Sequence, residues 1–78
     1  MNSYRVDNKA LKKILVDKNI KTTQKLSDIS GVNRNTCAKV LDDKIFPSSD
    51  VMARLATALH LDSKEAGKIF FSENLRNA

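Results

Sequence analysis

Residues 25–41 read KLSDISGVNRNTCAKVL, and the lone glycine at position 31 cuts a helical apolar pattern in two. Leu26 and Ile29 precede the break; Val32, Cys37, Val40 and Leu41 follow it at helical spacing. A chain that stops a helix for one turn and restarts it at once must set two short helices at a sharp angle, with the apolar residues of both inside the corner. Gly31 suits the first helix end because glycine takes left-handed backbone at little cost. Val32 plugs the corner, Asn33 caps the next helix, and residues 34–41 form it. Leu26, Val32, Cys37 and Val40 then have to meet, and Ser27 has to be small enough for the helices to cross closely.

Helical spacing continues on both sides of the corner. Asp7 caps a first helix running to about residue 18, with Ala10, Leu11, Ile14 and Leu15 on one stripe and Lys9, Lys12 and Lys13 largely outside it. Ile20 folds back onto the core, and Thr22 caps the second helix. The longest loop is DDKIFPSSD, in which Pro47 fixes the turn before a Ser48 cap. A fourth helix over residues 49–59 turns Val51, Met52, Leu55, Ala56, Ala58 and Leu59 inward. Asp62 and Glu65 have capping-box spacing and open a fifth helix that buries Ala66, Ile69 and Phe70. With 2 Gly and 1 Pro in 78 residues, the turn chemistry of a β fold is missing. The expected fold is all-α: one domain over residues 1–78, a compact bundle of about five short helices. An extended N-terminal arm (residues 1–7), open to packing in cis or to pairing with a partner chain, and a C-terminal tail (residues 72–78) flank it.

The net charge of +5 is unevenly placed. Residues 1–44 hold ten basic and five acidic residues, whereas residues 45–78 hold four of each. All the excess positive charge lies in the half that contains the corner, which points to a polyanion facing that side.

The outward face of helix 34–41 presents Arg34, Asn35, Ala38, Lys39 and Asp42. Arg34 and Asn35 lie in its first turn, where a recognition helix meets base edges. Arginine bonds guanine O6 and N7 together, asparagine bonds adenine N6 and N7, and the Ala38 methyl suits contact with a thymine methyl. Lys39, one turn beyond Asn35, is within reach of a base or a phosphate. Flanking phosphate contacts are expected from Thr23 and Gln24, at the positive end of the second helix, and from Lys25, Lys44 and Thr36.

These features resemble the lambda-repressor-like, Cro-type helix-turn-helix family. The resemblance covers about Ala10 to Phe71 and rests on Leu26-Ser27…Gly31-Val32…Arg34-x-Thr36 and on Pro47-Ser48…Leu55-Ala56-x-Ala58-Leu59. It implies a five-helix domain that binds operator-like double-stranded DNA, usually as a dimer, often in phages or mobile elements. It also implies base contacts from the positions held by Asn33, Arg34, Asn35, Ala38 and Lys39. Ser27, Cys37 and Lys25 depart from the residues usual at their positions.

Enzymatic chemistry is not expected. His60 is the one histidine and Cys37 the one cysteine, so zinc-ligand spacing is missing, as is a glycine-rich phosphate loop. No cofactor, metal or small-molecule ligand is expected. Nothing demands an oxidising compartment, no apolar run approaches a membrane span, and the N-terminus lacks a signal-peptide layout, so the cytoplasm is the expected location. The alternative is a protein-interaction module, antitoxin-like or regulator-binding, in which DNA binding is secondary. Gly67, Phe71 and Leu75, spaced by four, form a second stripe and are the expected homodimer surface.

Overall fold

Each helix begins where a short polar side chain replaces a missing backbone partner. In the computed structural model, which describes residues 4–73, Asp7 accepts from the Ala10 N–H at 3.1 Å and starts α1 (Asn8–Asp17). Thr22 accepts from Lys25 N–H at 3.0 Å and starts α2 (Thr23–Ser30). Asn33 accepts from Asn35 N–H at 2.8 Å ahead of α3 (Arg34–Leu41), and Ser48 from Val51 N–H at 3.2 Å ahead of α4 (Ser49–Ala58). Asp62 accepts from Glu65 N–H at 2.8 Å and opens α5 (Ser63–Phe70). The reciprocal bond from the Asp62 N–H to the Glu65 carboxylate is not made, so the expected capping box is present in one direction. Such caps contribute about 1 kcal/mol apiece, a large share of what an eight-residue helix lacks on its own.

The helices end with equal economy. Asn19, Asp43 and His60 take left-handed backbone, with φ of 61°, 59° and 56°. Each stands one residue past its C-cap and closes the paired bonds of a Schellman turn. After α1 these are Ile20 N–H to Leu15 C=O (2.8 Å) and Asn19 N–H to Val16 C=O (3.0 Å). Lys44 to Lys39 and Asp43 to Val40 repeat the pattern after α3, and Leu61 to Ala56 and His60 to Thr57 repeat it after α4. The sequence masks these turns because none of the three residues is glycine.

One core results. Val6, Leu11, Leu15, Leu26, Val32, Cys37, Val40, Leu55, Leu59, Ile69 and Phe70 are buried, and Phe70 is the one aromatic among them. Ile20 packs against this cluster, as expected. Ile29 does not. It is 41% exposed, and Ser30 holds the inner position one turn after Leu26.

The N-terminal arm resolves in cis. Tyr4–Arg5 (β1) pairs antiparallel with Ser72–Glu73 (β2), in the register Tyr4↔Glu73 and Arg5↔Ser72. Val6 drops into the core, and the Asp7 N–H donates to the Ile69 carbonyl at 2.7 Å. Val6 is therefore unavailable to a partner chain. The helix α5 stops at Phe70, with Phe71 as its C-cap, so the stripe of Gly67 and Phe71 does not continue as helix, and Leu75 lies outside the described residues.

Candidate nucleic-acid interface

The corner is built as its apolar spacing demands. Gly31 has φ of 74°, and Val32, Leu26, Cys37 and Val40 are 4% exposed or less. Ser27 is half-buried and its hydroxyl donates to the Val32 carbonyl at 2.6 Å, so smallness is combined with a bond across the turn. Ser30 adds another: its hydroxyl donates to the Leu26 carbonyl at 2.6 Å and accepts from the Val32 N–H at 3.2 Å. Burial pushes the Cys37 thiol above its ordinary pKa, with the Ser30 hydroxyl partly offsetting the rise. Cys37 therefore sits in the corner as a neutral, compact apolar group.

Helix α3 is held at its far end by contacts that leave no local sequence signal. The Asn8 amide, in the first turn of α1, donates to the carbonyls of Val40 (2.7 Å) and Leu41 (3.1 Å), 32 and 33 residues away. The Leu41 carbonyl is one that a helix C-terminus leaves without an internal partner, while the Val40 carbonyl also accepts the Asp43 N–H at 3.2 Å. Two acceptors fix which way the amide points, and the buried Asn8 Oδ1 on its other side meets no donor among the described residues. Beyond the helix, the Arg5 guanidinium bonds the Asp43 carboxylate at 2.7 Å. That pair ties the loop after α3 to the N-terminal strand and neutralises one of two acids next to the negative end of the helix dipole.

Held at both ends, α3 turns Cys37 and Val40 inward and Arg34, Asn35 and Lys39 to solvent. Ala38 is half-buried between the two faces, and Asp42 is exposed at the C-cap. Asn33 is exposed too, with its side-chain oxygen committed to the cap. Arg34, Asn35 and Lys39 make no side-chain hydrogen bond or ion pair among the described residues, whereas Arg5 and Arg54 are both paired to carboxylates. The donors on this face are unspent.

Of the expected flanking residues, Lys25 and Lys44 are exposed, and Thr23 and Thr36 are half-buried. Thr36 stands on the side of α3 between the outer face and the core. Gln24 is exposed, but its amide donates to Asp28 at 2.8 Å, one turn on, which competes with a phosphate for the same N–H. Thr22 caps the Lys25 N–H, so the N–H groups of Thr23 and Gln24 remain the open ones at this helix start. Lys44 is placed by the Schellman turn that ends α3.

A shallow groove runs between α2 and α4, lined by Ile29, Thr57 and Ala58, with Lys18, Lys25 and His60 at its rim. Among the described residues, no group of three His, Cys, Asp or Glu side chains is placed to hold a metal, and no helix is long and apolar enough to cross a membrane. Comparison with protein-family models, with curated proteins and with solved structures gave no match.

Proposed function

We propose that the protein is a sequence-specific, double-stranded-DNA-binding transcriptional regulator of the lambda-repressor-like, Cro type. It works in the cytoplasm as a dimeric repressor on a palindromic operator, as phage and mobile-element regulators of that type do. Helix α3 enters the major groove with Arg34 and Asn35 at base edges, Ala38 against them and Lys39 at a base or phosphate. The observation that carries this reading is the face itself: a guanidinium, an amide and an ammonium, all exposed and unpartnered, on a helix locked at both ends. The other two arginines among the described residues are paired, Arg54 with Asp50 at 2.9 Å and Arg5 with Asp43 at 2.7 Å, whereas Arg34 has no carboxylate partner there. Lys25, Lys44, Thr23 and Gln24 grip phosphates on either side and set the register.

Selection of bound duplexes from a random pool tests the proposal directly. Arg34→Ala and Asn35→Ala should each relax preference at particular base pairs, at about 1–3 kcal/mol per lost bidentate contact. Lys44→Ala should weaken all sequences alike and reduce the salt slope by roughly one unit. An unchanged selected motif with Arg34→Ala would remove α3 from the recognition role.

The groove beside Ile29 favours a second reading, a protein-interaction module that takes an acidic, apolar segment of a partner. It predicts weak, sequence-blind binding to DNA and a large loss of partner capture with Ile29→Ser. An α3 reader keeps its affinity for DNA in that variant.

A further inference from the structure

Four large apolar side chains from three separate parts of the chain gather beyond the C-terminal end of α3. Phe71, at the C-cap of α5, meets the Tyr4 ring edge-on at a centroid distance of 5.8 Å and the Phe46 ring at 6.1 Å. Ile45 precedes Phe46 in the loop after α3. Tyr4 is 48% exposed, Phe71 50%, Phe46 40% and Ile45 39%. Together they present roughly 350 Å² of surface, within the range of the largest apolar patch on an ordinary monomer, a size that is often functional.

We infer that this patch is the contact through which a second copy of the chain packs when two copies occupy adjacent half-sites. Charge selects the occupant. A chain of net charge +5 repels its own copies, and the excess lies entirely in residues 1–44. Ile45, Phe46 and Phe71 belong to the neutral segment, and the charges adjoining the patch in the chain are two of each sign: Arg5 and Asp43, bonded to each other at 2.7 Å, with Lys44 before Ile45 and Glu73 opposite Tyr4 in the strand pair. A patch without net charge and with both signs at its rim is self-complementary, as a two-fold contact requires. Dimensions agree. The molecule measures 36 × 23 × 20 Å, and recognition helices on successive major grooves stand about 34 Å apart, so neighbouring copies meet. The area falls well short of the roughly 800 Å² per partner of a stable complex, so the pairing is weak in free solution and strong on DNA. The half-site arrangement rests on the DNA-binding reading; the self-contact does not.

The test uses Phe71→Glu and, because that variant alters the ring stack, Ile45→Glu, which leaves the three rings intact. On a selected palindrome the wild type should bind cooperatively. Both variants should lose cooperativity and at least about tenfold in affinity, while binding a single half-site duplex within about twofold of wild type. Independently of DNA, amide spectra of the wild type raised to about 1 mM should show concentration-dependent shifts at Tyr4, Ile45, Phe46 and Phe71 that both variants abolish. If no duplex binds but these shifts appear, the DNA reading fails and the self-contact stands. Cooperative binding retained by both folded variants would overturn the inference. So would concentration-independent spectra.

Discussion

At the scale of single residues, the chain spends strain where glycine would spend none. His60, Asn19 and Asp43 all hold left-handed backbone. Asparagine and aspartate tolerate it better than other side chains, through local hydrogen bonding. His60→Gly should therefore raise stability most, by about 1 kcal/mol, and Asn19→Gly by about half that, after the entropy a new glycine adds to the unfolded chain. Asp43→Gly also loses the partly exposed Arg5 ion pair, of comparable small worth, and should change little. Urea unfolding would establish that order. Gly31→Val should move the other way: φ of 74° opposes a β-branched residue, even though a Cβ there would meet the Arg54 side chain no closer than 3.4 Å. Cys37 offers a pH handle. Its folded pKa is raised, so the native state holds the thiol proton after the unfolded chain has lost it. The resulting stabilisation is intact below the ordinary value of 9.0 and is lost as pH rises past 9.0 towards the folded value. Cys37→Val should lack that alkaline decline, and unfolding curves at about pH 8 and about pH 10 would reveal the difference. Cys37→Asp should be poorly tolerated at any pH near neutrality, because it buries a charge without a partner.

Helices are the next scale, and here sequence and structure agree best where forces are local. Asp7, Thr22, Asn33, Ser48 and Asp62 could be read as caps because a cap acts on an N–H two or three residues away. The outer face of α3 could be read because Cys37 and Val40 mark the inner one. Ile29 was misleading. At the end of an eight-residue helix one apolar residue defines no stripe, and hydrogen bonding gave the inner place to Ser30. The Asn8 clamp was illegible, since nothing in Val-Asp-Asn announces a bond to a carbonyl 32 residues on. It is also the most exacting element-level contact. Asn8→Ala should cost about 1–3 kcal/mol, because the Leu41 carbonyl loses its donor and the Val40 carbonyl is left with the Asp43 N–H alone. Asn8→Asp should cost more, because it sets a carboxylate against them. Amide exchange should speed up in the last turn of α3 in both variants. Normal protection there would mean that Asn8 does not hold the helix.

For the whole molecule, the decisive contact joins the two ends of the described chain. Tyr4–Arg5 pairs with Ser72–Glu73, Val6 lies at 2% exposure in the core, and the Asp7 N–H bonds the Ile69 carbonyl. The alternation Ser3-Tyr4-Arg5-Val6 announced an extended segment but not its partner, because strand pairing is set by where α5 happens to end. Val6→Ala should cost about 2 kcal/mol in urea unfolding, a core-sized effect from a residue outside every helix. It should also speed exchange of the Asp7 N–H. A loss below about 0.5 kcal/mol, the range of surface substitutions, would show that the arm is an accessory to the core.

That clasp also orders events during synthesis. Tyr4 and Arg5 leave the ribosome before the five helices, whereas their strand partners, Ser72 and Glu73, emerge after all of them. The corner between α2 and α3 closes a loop of a few residues and can form early; the clasp must wait for the end of α5. The newborn chain thus exposes the apolar place meant for Val6 until the end of α5 is released, and it passes its most aggregation-prone interval with the basic half that carries the α2–α3 corner already shaped.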